Sequence, residues 1–325
     1  MEKLKNKIGI DKISLTGFTV KNLNLVNYDL EKKTKTTRQR VIKDKYERYQ
    51  LIKYRTEEQS YYKLIFYPSR ILWGTNIKNV NIKEFLKALK WAKEELKIKG
   101  IYLKEMEKAT IKDIEININL KIDFESYINI FRVLIPKGVI YGKNRNDHIN
   151  IETIETKTTT TGFKIYNKGK QQRTGFKLVR FEYWLENSNY YQLLKKLGYD
   201  NTLQTLIKKP FLLVDIFKLK IKDMFKKALK YIKEKIYKPL KNEYLSLKKY
   251  NSMVSKKDIK PIYKQLENIK PFGIFDKNLL VKIIKNSQYE KNKSREIRKI
   301  LEIYGDFNEM EKLKNIYSMI IIDGI

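Results

Sequence analysis

The chain of 325 residues contains no cysteine and a single histidine, His148. The first absence excludes disulfides, thiolate zinc sites and cysteine nucleophiles, and the second excludes histidine-rich metal sites. No apolar run approaches membrane-spanning length, and the opening MEKLKNKIGIDKI lacks the apolar core of a signal peptide. The cytoplasm is therefore the default location, with no membrane partner. No glycine-rich loop has the spacing of a phosphate cradle. Acidic residues are also outnumbered. The 37 Asp+Glu stand against 70 Lys+Arg, for a formal net charge of +33 and a pI near 9.8. That excess points to a polyanion. It is spread along the chain as lysine, so a coding bias toward lysine, isoleucine and asparagine explains part of it. The 23 tyrosines offer base-stacking surfaces as well as core residues.

The stretch from Phe163 to Gly198 organises the chain. Phe163 and Ile165 share one face of a strand, and Lys164, Tyr166 and Lys168 share the other. A free tyrosine, with a pKa near 10, is a poor nucleophile, and flanking ammonium groups would favour its phenolate. A second strand follows, with Arg180, Glu182 and Trp184 on one face and Val179, Phe181 and Tyr183 on the other. Ordinary half-exposed strands of a lysine-rich protein fit the same pattern.

Upstream, residues 8–20 read as a first strand, with Asp11 inside it and a catalytic role for Asp11 left open. Residues 30–48 are highly charged and read as a mobile loop or short helix. Strand patterns resume at Tyr49 and run to Trp73, with an interruption at Pro68 and a turn at Gly74-Thr75-Asn76. A helix is expected at 82–98, where Ile82, Phe85, Leu86, Leu89, Ala92 and Leu96 form an apolar stripe that Gly100 terminates. Residues 109–120 alternate most clearly. Ile114, Ile116, Ile118 and Leu120 fall on one face; Asp113, Glu115, Asn117 and Asn119 fall on the other. A row of oxygen ligands suits a hard cation such as Mg2+ or Mn2+, and a plain polar-out strand is the competing reading. Helix is expected at 124–135. Beyond Gly198, helical patterns run to the end with breaks at Pro210, Pro239, Pro261 and Pro271, and NLLVKIIKNSQ and REIRKILEIYG suggest a basic helical pair.

YNK at 166–168, LVRFE at 178–182 and the short helix ending in Leu197-Gly198 together resemble the phage and plasmid replication proteins of the gene II/X type. These are rolling-circle initiators related to the plasmid transferase-type initiators, and the resemblance spans about residues 60–198. It implies that Tyr166 is the DNA-nicking nucleophile and that Lys164 and Lys168 assist it. It further implies that Glu115 and Glu182, with Asp113, hold Mg2+ or Mn2+. Arg180, Lys170 and Arg173 would contact DNA. The implied fold is α+β, an antiparallel sheet nuclease core with helices on one face (residues 1–198), then a mostly α-helical basic domain (199–325). The implied activity is site-specific nicking and rejoining at a phage or plasmid origin through a 5′-phosphotyrosyl link, leaving a 3′-hydroxyl primer. Origin DNA would be the partner, with host helicase and polymerase alongside a monomer or dimer. One departure is visible: the family often has a glutamate five residues after the tyrosine, and this chain has Gln171. With one histidine, the chain cannot build the His-hydrophobic-His metal motif of many other rolling-circle nucleases. Among other classes, a non-catalytic origin-binding initiator would explain the charge. A tyrosine recombinase would need histidine partners across a helical domain.

Overall fold

The computed structural model describes residues 8–22, 28–34, 37–135, 139–142, 151–158, 160–238 and 309–322. The chain divides into two compact units, one of Met1–Ile122, Ile140–Lys218 and Gly324–Ile325, the other of Asp123–Val139 and Leu219–Asp323.

The strands in chain order are β1 (Ile8–Thr16), β2 (Thr19–Lys21), β3 (Leu30–Lys33), β4 (Arg38–Lys43), β5 (Tyr49–Arg55), β6 (Ser60–Phe66), β7 (Tyr102–Lys104), β8 (Thr110–Leu120), β9 (Val139–Gly142), β10 (Ile151–Lys157), β11 (Thr161–Asn167) and β12 (Val179–Glu186). Ten of them form one sheet in the order β3-β4-β5-β6-β1-β8-β12-β11-β10-β9, and β2 pairs with β7 apart from it. Every described pairing is antiparallel. The helices are α1 (Pro68–Trp73), α2 (Ile82–Ile98), α3 (Ile128–Leu134), α4 (Lys168–Gln171), α5 (Asn187–Lys196), α6 (Leu203–Lys208), α7 (Leu212–Tyr231) and α8 (Glu309–Tyr317).

Alternation separates the two faces of the sheet. Ile10, Ile13, Ile114, Ile116, Ile118, Phe163, Ile165 and Phe181 are buried and make the apolar face. Helices pack on it through aromatic contacts. Phe85 of α2 stacks on Phe66 at 5.4 Å between ring centroids, and Phe217 of α7 lies 6.2 Å from Phe163. The α2 helix begins at a capping box, in which Asn81 accepts from the Glu84 backbone N–H and Glu84 accepts from that of Asn81. In the second unit α3 and α8 pack together, and Phe225 of α7 lies 4.9 Å from Tyr317 of α8.

Two expectations are corrected. Residues 30–48 are neither loop nor helix: they contribute β3 and β4, a hairpin at the sheet edge. Charged side chains are what an edge strand carries to discourage pairing with another chain, so high charge was misread as absence of structure. The strand ends at Phe66, next to the strand end or bulge expected at Pro68, but residues 68–73, which carry a strand pattern, form α1. Pro68 sits in its first turn, where a missing N–H costs nothing, and Gly74 closes it at φ 70° with its N–H donating to the Arg70 carbonyl. Pro210 separates α6 from α7 as expected. His148, NLLVKIIKNSQ and REIRKILEIYG lie outside the described residues.

Candidate active site

The cross-strand register arranges the polar face of the sheet in rows. Thr153, Tyr166, Arg180 and Asn119 lie opposite one another on β10, β11, β12 and β8. The next row is Glu155, Lys164, Glu182 and Asn117, and the third is Lys157, Gly162, Trp184, Glu115 and Lys12. Tyr166 and the two glutamates therefore reach one face because their strands are neighbours, although up to 67 positions separate them in the chain.

Asp11 joins them through an irregularity. Ile10 pairs with Ile116 and Lys12 with Glu115, so Asp11 is an extra residue, a bulge that re-aims its side chain. One ligand oxygen each from Asp11, Glu115 and Glu182 lies within 4.8 Å of the others. This carboxylate trio could hold a metal ion. Asp113, expected in the same role, stands one row further on, where it accepts from Lys63 Nζ at 2.6 Å and from Ser14 Oγ. Its lone pairs are taken by a cation and a hydroxyl from neighbouring strands.

The electrostatics of the trio fit a divalent cation. Burial drives the Glu182 carboxyl well above the ordinary carboxylate range, and the charges of Asp11 and Glu115 push it in the same direction. Burial raises Glu115 as well, against the opposing effect of Lys12, whose Nζ lies 3.5 Å from Glu115 Oε1. A divalent cation would remove that penalty, because it replaces lost hydration with direct charge neutralisation. Asn117 adds an independent sign. It is 1% exposed, lies directly opposite Glu182, and neither atom of its amide has a hydrogen-bond partner among the described residues. A buried amide without a partner is costly, and its oxygen suits the same hard cations as the carboxylates.

Arg180, expected to contact DNA, is 0% exposed and is a structural hub instead. Its Nε donates to Asn119 Oδ1 at 2.8 Å, Nη2 to the Ile77 carbonyl at 2.9 Å, and Nη1 lies 3.3 Å from Asp11 Oδ1. The segment before α2 roofs this end of the polar face, since Asn119 also donates to Ile77 and Ile10 N–H donates to the Val80 carbonyl. Gly9 permits that approach: a Cβ there would lie 2.7 Å from the Val80 nitrogen. Lys170 and Arg173 are exposed beside the site.

Tyr166 lies under this roof and is 4% exposed. Its neighbours do not lower its pKa as expected. Burial dominates and raises it, the Glu182 charge adds to the rise, and Arg180 opposes it. The Lys164 and Lys168 ammonium groups lie over the tyrosine ring, 5.2 and 5.4 Å from its centroid. There they meet the π face, which does little for the phenolate oxygen. Lys168 is 0% exposed and donates to Asn76 Oδ1 at 2.7 Å and Gln171 Oε1 at 2.9 Å. Both acceptors are neutral. Burial, reinforced by Arg180, lowers the Lys168 pKa to about 7.

Asp11 is the residue that the sequence left undecided. A strand of otherwise apolar inward positions interrupted by Asp-Lys was the available signal, but nothing local shows a bulge. Among the described residues no helix is long and apolar enough to cross a membrane.

No family model and no curated protein matches the chain. Among solved structures, the rolling circle replication initiator protein from Geobacillus stearothermophilus aligns over 66% of this chain and 84% of its own, with 11% identity and a TM-score of 0.38. The Methanococcus jannaschii TBP aligns over 62% of this chain and 98% of its own, with 16% identity and a TM-score of 0.28. At such values neither likeness carries an argument about function.

Proposed function

We propose that the protein is a DNA nicking and rejoining enzyme of the rolling-circle initiator class, with Tyr166 as nucleophile and origin DNA as substrate. The observation that carries this reading is the meeting of Tyr166 with the Asp11, Glu115 and Glu182 carboxylates on one sheet face. A bound Mg2+ or Mn2+ would supply charge neutralisation at the scissile phosphate and at the departing 3′ oxygen. Lys168 and Lys164, packed against the tyrosine ring, would screen the charge that develops there, and the phenolic proton would pass to solvent. The Tyr166 oxygen bonds to phosphorus, the bond from phosphorus to the 3′ oxygen breaks, and that oxygen leaves as a hydroxyl by taking up, through solvent, one proton in place of the one the phenol released. The product is a 5′-phosphotyrosyl link and a primer end. The link conserves the phosphoester, so reversal rejoins the strand without ATP. Lys170 and Arg173, exposed beside Lys168, are placed to neutralise flanking phosphates.

The depth of Tyr166 favours a second reading, a non-catalytic origin-binding initiator in which the tyrosine is a packing residue. One experiment separates the two. The protein is incubated with supercoiled plasmid bearing its replicon's origin and Mn2+, then run on a denaturing gel for protein joined to a 5′ end. The nickase reading predicts an adduct that disappears in Tyr166→Phe. An adduct that survives in that variant removes Tyr166 from the role. Tight origin binding with no adduct selects the second reading.

A further inference from the structure

Beside the carboxylate trio a cleft of about 270 Å3 opens on the polar face. Its floor is the indole of Trp184, which lies against the backbone of Gly162. A Cβ at Gly162 would sit 2.6 Å from Trp184 Cε3, so glycine is what lets the ring lie flat. The Lys157 ammonium, on an exposed side chain, hovers 5.0 Å from the indole centroid. Glu115 and Glu182 line the same cleft, which is therefore continuous with the candidate metal site.

We infer that this cleft holds one nucleobase of single-stranded DNA, stacked on Trp184 next to the scissile phosphate. The inference rests on the nicking reading for the position of that phosphate. The volume lies just under the range of about 300–1,000 Å3 for small-ligand sites, and suits one base with part of its sugar. The charge of the walls selects the part of the nucleotide that enters. Glu115, Glu155, Glu182 and Glu186 face Lys12, Lys157 and Lys164, so the walls mix both signs around the indole and carry no cationic bed of the kind that grips a phosphate. A neutral ring is accepted, and the flat indole supplies a stacking surface that any base can use. Glu155 and Glu186 are half-buried acceptors on the walls with no donating character. They accept from the exocyclic amino group of cytosine, adenine or guanine, and thymine offers none. The Lys157 ammonium swings from the indole to a backbone phosphate as the base arrives.

The test reads binding alone, in EDTA, so it does not require nicking. Oligo-dC and oligo-dT are titrated against the full chain while tryptophan fluorescence is followed. Oligo-dC quenches the emission and binds about tenfold more tightly than oligo-dT. Trp184→Phe keeps the binding and loses most of the quench, and Trp184→Ala weakens binding about tenfold or more. Glu186→Gln, a rim substitution that leaves the indole packed, brings the two oligonucleotides to near-equal affinity. Unchanged quenching in Trp184→Phe, or binding unaltered in Trp184→Ala, overturns the inference and leaves the nicking reading standing. Failure of every oligonucleotide to bind also overturns it. Quenching that depends on Trp184 in a protein that never forms the Tyr166 adduct upholds the stacking cleft and removes the nickase.

Discussion

The sheet reads alike from either edge. A four-strand run, β3 to β6, ends beside central β1, and a second, β9 to β12, ends beside central β8. Yet carboxylates in the two halves are pushed in opposite directions. In the first, Glu31 is lowered by its hydrogen bond from Arg38 and Asp44 by its hydrogen bonds from Arg48. Around β8 and β12, Glu115 and Glu182 are raised, mainly by burial. In the first half each carboxylate has a guanidinium partner, Glu31 at the exposed edge and Asp44 buried against Arg48, and Tyr54 stacks on Tyr61 at 4.8 Å. The second is roofed by the segment before α2, and there burial outweighs the partners that Lys12 and Arg180 offer the carboxylates. A site announces itself by unpaid electrostatics, and a surface does not.

The largest expected contrast between the halves concerns activity. If the protein nicks DNA as proposed, Glu182→Gln lowers that Mn2+-dependent activity more than about 100-fold, because a carboxylate that would support the metal is gone. The same change raises the denaturant midpoint of the metal-free protein, since a desolvated carboxylate becomes a neutral amide. Glu31→Gln alters neither quantity. Equal effects on both would erase the distinction.

Stability supplies the next contrast. Arg180→Ala leaves the buried Asp11 without its guanidinium and the Asn119 side-chain carbonyl oxygen without its donor, which costs about 3–5 kcal/mol. Arg38→Ala, at an exposed pair, leaves the urea midpoint unchanged. A small loss at Arg180 would mean that the roof is not held by this residue.

Acidity separates the halves by sign. Glu115 and Glu182 have folded pKa values above their ordinary value of 4.5. Their stabilising contribution is complete below that value and is lost as pH rises, so metal-free protein weakens from pH 4.5 up to about 8, the folded value for Glu182. Asp44 is depressed below 3.8, so its contribution is present above that pH and is lost on further acidification. Urea midpoints measured across pH in EDTA should show the first trend, and Mn2+ should flatten it. A trend unaffected by Mn2+ would detach the two glutamates from metal binding.

The smallest effect belongs to Asn117. Asn117→Leu removes a buried amide with no partner, and stability rises by about 1 kcal/mol or more. Mn2+ affinity falls about 10- to 100-fold, as for groups that support a metal site. A rise in stability without loss of affinity, followed by isothermal titration, would return Asn117 to a packing defect.

Sequence alone determined the elements whose signal is local. The isoleucine alternation of β8, the capped apolar stripe of α2, the break at Pro210 and the facing of Tyr166 with Lys164 each follow from side-chain period and backbone chemistry within one segment. Tertiary structure decided what depends on neighbours distant in sequence. Asp11 reaches the trio only because β1 slips one residue against β8. Arg180 and Lys168 become buried only because the segment before α2 folds over them, which is also why Lys168 sheds its proton near neutrality and Tyr166 does not. Charge on a strand is legible from its residues, whereas the water around that charge is not. Desolvation is a property of the surroundings, and here it separates an exposed basic edge from a candidate active site.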